Sequence, residues 1–195
     1  MGKSQNSQGT QELKAIPSVT EVLSFVNSRA FDHVPVFRME AAQARGTDVH
    51  AAAAAHLLGI WYDPDPAHAG DMASLRTWID RLVDRVIFVE QSLVSQKHGF
   101  KGHPDALLRI RGDDGPTLID WKTPKPLSLS WRLQLAGYRL LAIDNGFKVS
   151  RVASLRLDAD GGPAKFQGYT RTLVSDQNDF LAALKVRRFF NGGKK

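Results

Sequence analysis

The clearest period in the chain runs from Asp71 to Asp84, where Met72, Leu75, Ile79, Leu82 and Val83 recur at helical spacing and predict a helix capped by Asp71. An earlier helix is expected over roughly Arg38 to Gly59, because the run Ala51 to Ala55 has the strongest intrinsic helix preference. Before it, Ile16-Pro17-Ser18-Val19-Thr20-Glu21 reads as a capping box. There the Ser18 hydroxyl accepts from the Glu21 amide, the Glu21 side chain reaches back, and a short helix follows through Asn27. The period then changes. Val86 to Val94 is β-branched and apolar, Phe100 to Ile110 is an extended apolar run, and Thr117 to Trp121 is a third short strand. Gly112-Asp113-Asp114-Gly115-Pro116 joins the last two by a tight reversal, which predicts an antiparallel meander. A helix from about Leu129 to Asn145 stops at Asn145-Gly146, strands follow near Val149 to Leu157 and Ala164 to Tyr169, and Ser175 is placed to cap a last helix to about Phe190.

This order predicts a mixed α/β (α+β) fold, with a central mixed sheet that starts antiparallel and is flanked by helices. One domain is expected over residues 16–191. Residues 1–15 are polar without an apolar period and read as a disordered lead, and residues 192–195 read as a basic tail.

Composition removes several chemistries. The 195-residue chain has no cysteine, so it can hold no disulfide, thiolate zinc site, cysteine-held iron–sulfur cluster or cysteine nucleophile. No window approaches the roughly 20 apolar residues of a membrane span, and the first seventeen residues lack an apolar signal core. A cytoplasmic protein with no membrane partner is expected. Lys and Arg number 26 against 20 Asp and Glu, a net charge of +6 that favours an anionic partner without naming one.

Candidate chemistry lies in Gly102-His103-Pro104-Asp105 and, fourteen residues after it, Asp120-Trp121-Lys122. Side chains alternate across a strand, so Asp120 and Lys122 share a face and Trp121 points the other way. If the hairpin folds about Asp113 and Asp114, paired residue numbers sum to about 227, which places Asp105 opposite Lys122 and diagonal to Asp120. Diagonal neighbours are close enough for two short carboxylates to hold one hard cation. Lys122 beside them would orient or deprotonate a water, or stabilise negative charge on a phosphate. A surface ion pair between Asp120 and Lys122 is the plain alternative. Against it stand the Pro-Asp step, the hairpin that joins the halves and the apolar walls Ala106-Leu107-Leu108 and Leu118-Ile119, which would make an unpartnered acid costly.

On these residues the chain resembles the PD-(D/E)XK nuclease superfamily, and more narrowly its RecB-like exonuclease branch, which includes nuclease domains of bacterial recombination helicases and the mitochondrial genome maintenance exonuclease. Ile16-Pro17-Ser18-Val19-Thr20 is similar to the start of that branch, Arg45-Gly46-Thr47-Asp48-Val49-His50 to its histidine motif, and Gln134-Leu135-Ala136-Gly137-Tyr138 to its Q-x-x-x-Y motif. The resemblance spans about residues 16 to 145. It implies a restriction-endonuclease-like core, with His50, Asp105, Asp120 and the Trp121 carbonyl as metal ligands and Lys122 as catalytic. Glu90 would hold a water or a second metal, and Gln134 and Tyr138 would face the DNA. His103, on the face of Asp105, is a rival for contact with metal or phosphate.

The implied activity is a metal-dependent exonuclease that hydrolyses DNA phosphodiesters through a metal-activated water, on single strands or DNA ends, in repair or recombination. Mg²⁺ or Mn²⁺ would serve, and a histidine nitrogen favours Mn²⁺. The alternatives are a structure-selective or restriction-type endonuclease and an inactive nucleic-acid-binding module. Two features stay open. Lys185-Val186-Arg187-Arg188-Phe189-Phe190 fits either phosphate contact with stacking or core anchoring of the last helix, and Trp131 fits either base stacking or core packing.

Overall fold

The computed structural model describes residues 16–24, 36–123 and 128–192, with side chains excepted at 36–43 and 192. The expected lead at 1–15, the end of the first helix at 25–27 and the tail beyond 192 lie outside the described residues. The chain opens with helix α1, described over residues 19–24, and helix α2 (Val36–Leu58). A short 3-10 turn, Pro66–His68, leads into α3 (Ala69–Leu82). Five strands follow: β1 (Val83–Val89), β2 (Leu93–Ser95), β3 (Phe100–Gly102), β4 (Ala106–Ile110) and β5 (Thr117–Lys122). Helix α4 (Ser130–Asp144) leads to β6 (Arg151–Arg156) and β7 (Lys165–Gly168), and α5 (Leu173–Gly192) closes the described chain.

The main sheet has the order β1-β4-β5-β6-β7. Its β5–β6 pair is parallel and the other pairs are antiparallel, which makes it the mixed sheet flanked by helices that the sequence predicts. A parallel pair needs a long crossover, and α4 supplies it. Alternation along the strands splits the core into two layers. Leu107, Leu118 and Val152 point to the face covered by Leu135 and Leu141 of α4, Phe180 of α5 and Val19 of α1. Ala106, Leu108, Ile119 and Ala153 point to the face covered by Val49 and Ala53 of α2 and by Met72, Leu75 and Ile79 of α3. Fully burying one of the larger of these side chains, leucine, isoleucine, valine, methionine or phenylalanine, stabilises the fold by roughly 1.5–3 kcal/mol.

Several elements differ from their sequence expectation. The first meander strand breaks in two at Glu90, which takes a positive φ of 47° and turns the chain out of the sheet. The run from Phe100 to Ile110 breaks at His103-Pro104-Asp105, since proline has no amide to continue a ladder. Together these breaks project β2 and β3 from the meander as a separate two-stranded hairpin. In the β4–β5 ladder Ala106 pairs Ile119 and Leu107 pairs Leu118, so paired numbers sum to 225 and not 227. A shift of two leaves every side chain on its expected face, but it projects Asp105 opposite Asp120 instead of Lys122.

Two caps also move. His68 is the N-cap of α3, and Asp71 lies inside its first turn, fully buried and paired with Arg45 at 2.6 Å. Helix α5 begins before Ser175, because the 3-10 turn Thr170–Thr172 runs directly into it. There Asp176 accepts from the Thr172 hydroxyl at 2.7 Å.

Candidate metal centre

The candidate residues meet at the C-terminal end of β5, with His50 coming from α2 in one layer and Gln134 and Tyr138 from α4 in the other. Strand alternation places Trp121 against α3, with its ring edge-on to Trp78 at 6.2 Å, while Asp120 and Lys122 face α4. His50 projects from α2 toward this end, and one of its ring nitrogens, Nε2, lies 3.2 Å from the Trp121 carbonyl oxygen. The other, Nδ1, lies 3.3 Å from Asp105 Oδ1 and 3.7 Å from Glu90 Oε1. Among the described residues, His50, Glu90 and Asp105 form one group whose ligand atoms all lie within 4.8 Å of one another.

Helix α2 is pinned on its other sides. Arg45, five residues before His50, grips Asp71 of α3. Asp48 accepts from the Tyr62 hydroxyl at 2.8 Å, from the Asp65 amide at 3.2 Å and from His68 Nδ1 at 2.6 Å. The loop after α2 is thereby strapped back along the helix, and His50 is held in register with β5. The sequence offered the histidine motif but no sign of the Arg45–Asp71 pair, whose members are 26 residues apart.

The two acidic members of this group, Glu90 and Asp105, lie at the ends of the β2–β3 hairpin. The Glu90 amide donates to the Asp105 carbonyl at 2.8 Å, and the Asp105 carboxylate accepts from the Trp121 amide at 2.7 Å. Asp105 is thus tied to both neighbouring segments by the backbone.

A second half of the site adjoins the first. The Lys122 ammonium forms an ion pair with the buried Asp120 carboxylate and donates to Gln134 Oε1 at 3.0 Å. The Gln134 amide in turn donates to the Tyr138 hydroxyl at 3.2 Å, one helical turn on. Lys122 also lies over the Trp131 ring, 5.6 Å from its centroid, and Trp131 is itself buried. Trp131 is therefore packed as a buried wall of the lysine pocket, closer to the core-packing reading of the two that the sequence left open. His103 is exposed beyond the end of β3 and stands outside the ligand group.

Electrostatics reflect the crowding of acids. Burial pushes the Asp120 carboxyl up to about 6, with Lys122 pulling against it and the Asp105 charge adding to it. Burial opposes the charged form of His50, but the Asp105 and Glu90 carboxylates outweigh it and hold the imidazole well above its ordinary range. Burial, then the charges of Asp120 and Asp105, push the Tyr138 phenol up and keep it protonated. Two carboxylates, Glu90 and Asp105, with the His50 imidazole and the Trp121 carbonyl converge at the strand end and could hold a divalent cation of mixed oxygen and nitrogen preference, while Asp120 stands outside this group, beside Lys122. Such a cation would relieve the repulsion among the acids.

No helix among the described residues is long and apolar enough to cross a membrane. The chain matches no protein-family model and no curated protein sequence. Among solved structures it is similar to that of LHK-Exo in complex with dAMP, at 15% identity over 94% of each chain with a TM-score of 0.39, a likeness too distant to carry an inference about activity.

Proposed function

We propose that this chain is a metal-dependent DNA nuclease, acting as an exonuclease on single strands or DNA ends, with residues 16–191 as its one catalytic domain. The observation that carries this is the convergence of His50, Glu90, Asp105 and the Trp121 carbonyl beside a lysine held by Asp120 and Gln134. An ion-paired surface lysine would need neither the buried wall of Trp131 nor the hydrogen-bond chain to Tyr138.

His50, Glu90, Asp105 and the Trp121 carbonyl would hold Mg²⁺ or Mn²⁺, with Asp120 as a further carboxylate, and the nitrogen ligand favours Mn²⁺. When bound, the cation supplies Lewis-acid polarisation of a phosphoryl oxygen and a lowered pKa for water. The protein's own groups do the rest. Lys122, aimed by Asp120 and Gln134, donates to the attacking water and to the phosphate oxygens as negative charge builds on them. The water oxygen bonds to phosphorus, the bond from phosphorus to the leaving oxygen breaks, and the proton that the water sheds passes through solvent to that leaving oxygen. Gln134 and Tyr138 continue the hydrogen-bond chain from Lys122, where they would contact the nucleotide nearest the cut, and His103 would approach the backbone from the hairpin side.

Helix α2 bounds the metal position on one side, which suits one strand better than a duplex. The test compares linear single-stranded DNA with a covalently closed circle of the same sequence in Mn²⁺ or Mg²⁺ at low salt. Degradation of the linear form with the circle intact is expected. Equal cleavage of both would promote an endonuclease, and retention of both without cleavage would leave a binding module.

A further inference from the structure

The last turns of α5 were open in the sequence between core anchoring and ligand contact, and the core leaves them out. Phe189 is 77% exposed and Phe190 68%, and their rings meet edge to face at 5.4 Å. Next to them, Arg188 donates to the carbonyl oxygens of His98 and Gly99, which fixes this end of α5 against the turn of the β2–β3 hairpin. Gly99 takes a φ of +60°, and an added Cβ there would meet the Arg188 guanidinium at 2.5 Å, so the turn is shaped to receive it.

The charge on this surface is mainly positive. From Gln91 to Pro104 the chain carries Lys97, Lys101, His98 and His103 with no acid, and from Phe180 to Gly192 it carries Lys185, Arg187 and Arg188 with no acid. Those five lysines and arginines compare with a net +6 for the entire chain. The neighbouring acids are engaged: Glu21 by the Ser18 amide and Arg187, and Asp144 by the Ser95 hydroxyl. The hairpin itself begins at Glu90 and ends at Asp105, two residues of the metal centre. Its turn is about six residues away, about 20 Å along an extended strand.

We infer that the Phe189–Phe190 pair, with Lys97, Lys185 and the hairpin surface, is a second contact site for single-stranded DNA, placed to hold the strand a few nucleotides from the metal centre. Exposed aromatic faces among cations fit sequence-tolerant stacking and phosphate attraction. A duplex hides its base faces and would gain only the charge. This role rests on the nuclease reading for its direction, not for its chemistry.

The test measures binding of fluorescein-labelled oligo-dT by anisotropy in EDTA, with wild type, Phe189→Ala/Phe190→Ala and Phe189→Leu/Phe190→Leu. Both double variants should bind about tenfold or more weakly, because leucine keeps apolar area but lacks the ring face. Lys97→Gln/Lys185→Gln should lower the salt slope by about one per lysine. In Mn²⁺, the alanine variant should lose cleavage of long oligo-dT relative to a dinucleotide, which cannot span the hairpin. Wild-type affinity in the alanine variant overturns the site, and with cleavage intact it leaves the nuclease reading standing. Ring-dependent binding without any cleavage overturns the nuclease and keeps the site. A change in sedimentation with unchanged affinity would assign the face to contact between copies and overturn the proposal.

Discussion

Glu90 and Asp105 are fifteen residues apart in the chain, yet the amide of one donates to the carbonyl of the other at 2.8 Å and both carboxylates face His50. Glu90 reaches this position with a positive φ, a conformation that costs a non-glycine residue of order 1–3 kcal/mol. Straightening the strand would carry its carboxylate away from the group. The strain is therefore a condition of having two acids at one hairpin base, and the rest of the fold stabilises it.

Cation binding should stabilise the folded chain, since the ligands come together only there. Mn²⁺ at one hundred times its dissociation constant should add about 2.7 kcal/mol. Thermal melts of wild type, His50→Ala, Glu90→Ala and Asp105→Ala with and without Mn²⁺ check this. The Mn²⁺-dependent rise in Tm should shrink in each variant; equal rises in all four proteins would place the cation elsewhere.

Lys122→Met and Asp120→Asn should each abolish cleavage, and they should not be independent in stability. Removing the ammonium leaves the buried Asp120 carboxylate unpaired, and removing the carboxylate leaves the lysine without its partner. The double variant should be more stable than the sum of the single losses, by a coupling of about 0.5–3 kcal/mol. Urea denaturation of the four proteins, at a pH above the Asp120 value of about 6, gives the coupling. Strict additivity would show that the pair is not a pair in solution.

The capping box predicts an acid-side pH dependence. The Ser18 amide donates to Glu21 Oε2 at 2.6 Å and is the main cause of a Glu21 pKa below its ordinary 4.5, with burial opposing and Arg187 and Lys101 assisting. A depressed carboxyl contributes stability that is present above 4.5 and is lost as pH falls through the folded value. Wild type should therefore lose more stability than Glu21→Gln on acidification from about pH 5. Ser18→Ala should cost about 1 kcal/mol at neutral pH. Parallel pH profiles for wild type and Glu21→Gln would remove the charge from the cap.

Gly70 is required by contact and not by conformation. A Cβ there would lie 1.6 Å from the Ala159 carbonyl oxygen, a backbone atom that cannot move alone. Gly70→Ala should cost more than the usual 1–3 kcal/mol of overpacking. Gly46→Ala, with nothing within 4 Å of the added atom, is the control and should be neutral or slightly stabilising. Equal melting temperatures for the two variants would contradict the packing of α3 on the 158–161 loop.

The sequence was informative where periodicity or local chemistry settled an element. The α3 stripe of Met72, Leu75 and Ile79, the Ser18–Glu21 box and the Asn145-Gly146 stop are all determined by near neighbours. Glu90 shows the limit, because its apolar flanks read as one strand and only a distant amide bond to Asp105 explains the turn. Likewise, the ladder register depends on the full six-residue connection from Arg111 to Pro116, so the expected pairing slipped by two. Asp120 and Lys122 were legible as a shared face through alternation alone. The embrace of Lys122 by Gln134 and Trp131 depends on how α4 crosses from β5 to β6, which no local pattern encodes.

Pairing β5 with β6 in parallel makes the lysine half of the site depend on a long crossover. Glu90 and Asp105 can approach early, as two ends of a local hairpin, but α4 must cross and dock before Gln134 reaches Lys122. His50 needs α2 packed on the opposite layer. The candidate site is thus complete only when both layers have closed on the sheet. A cation held there would bind the closed form alone, so its stabilisation should appear as slower unfolding.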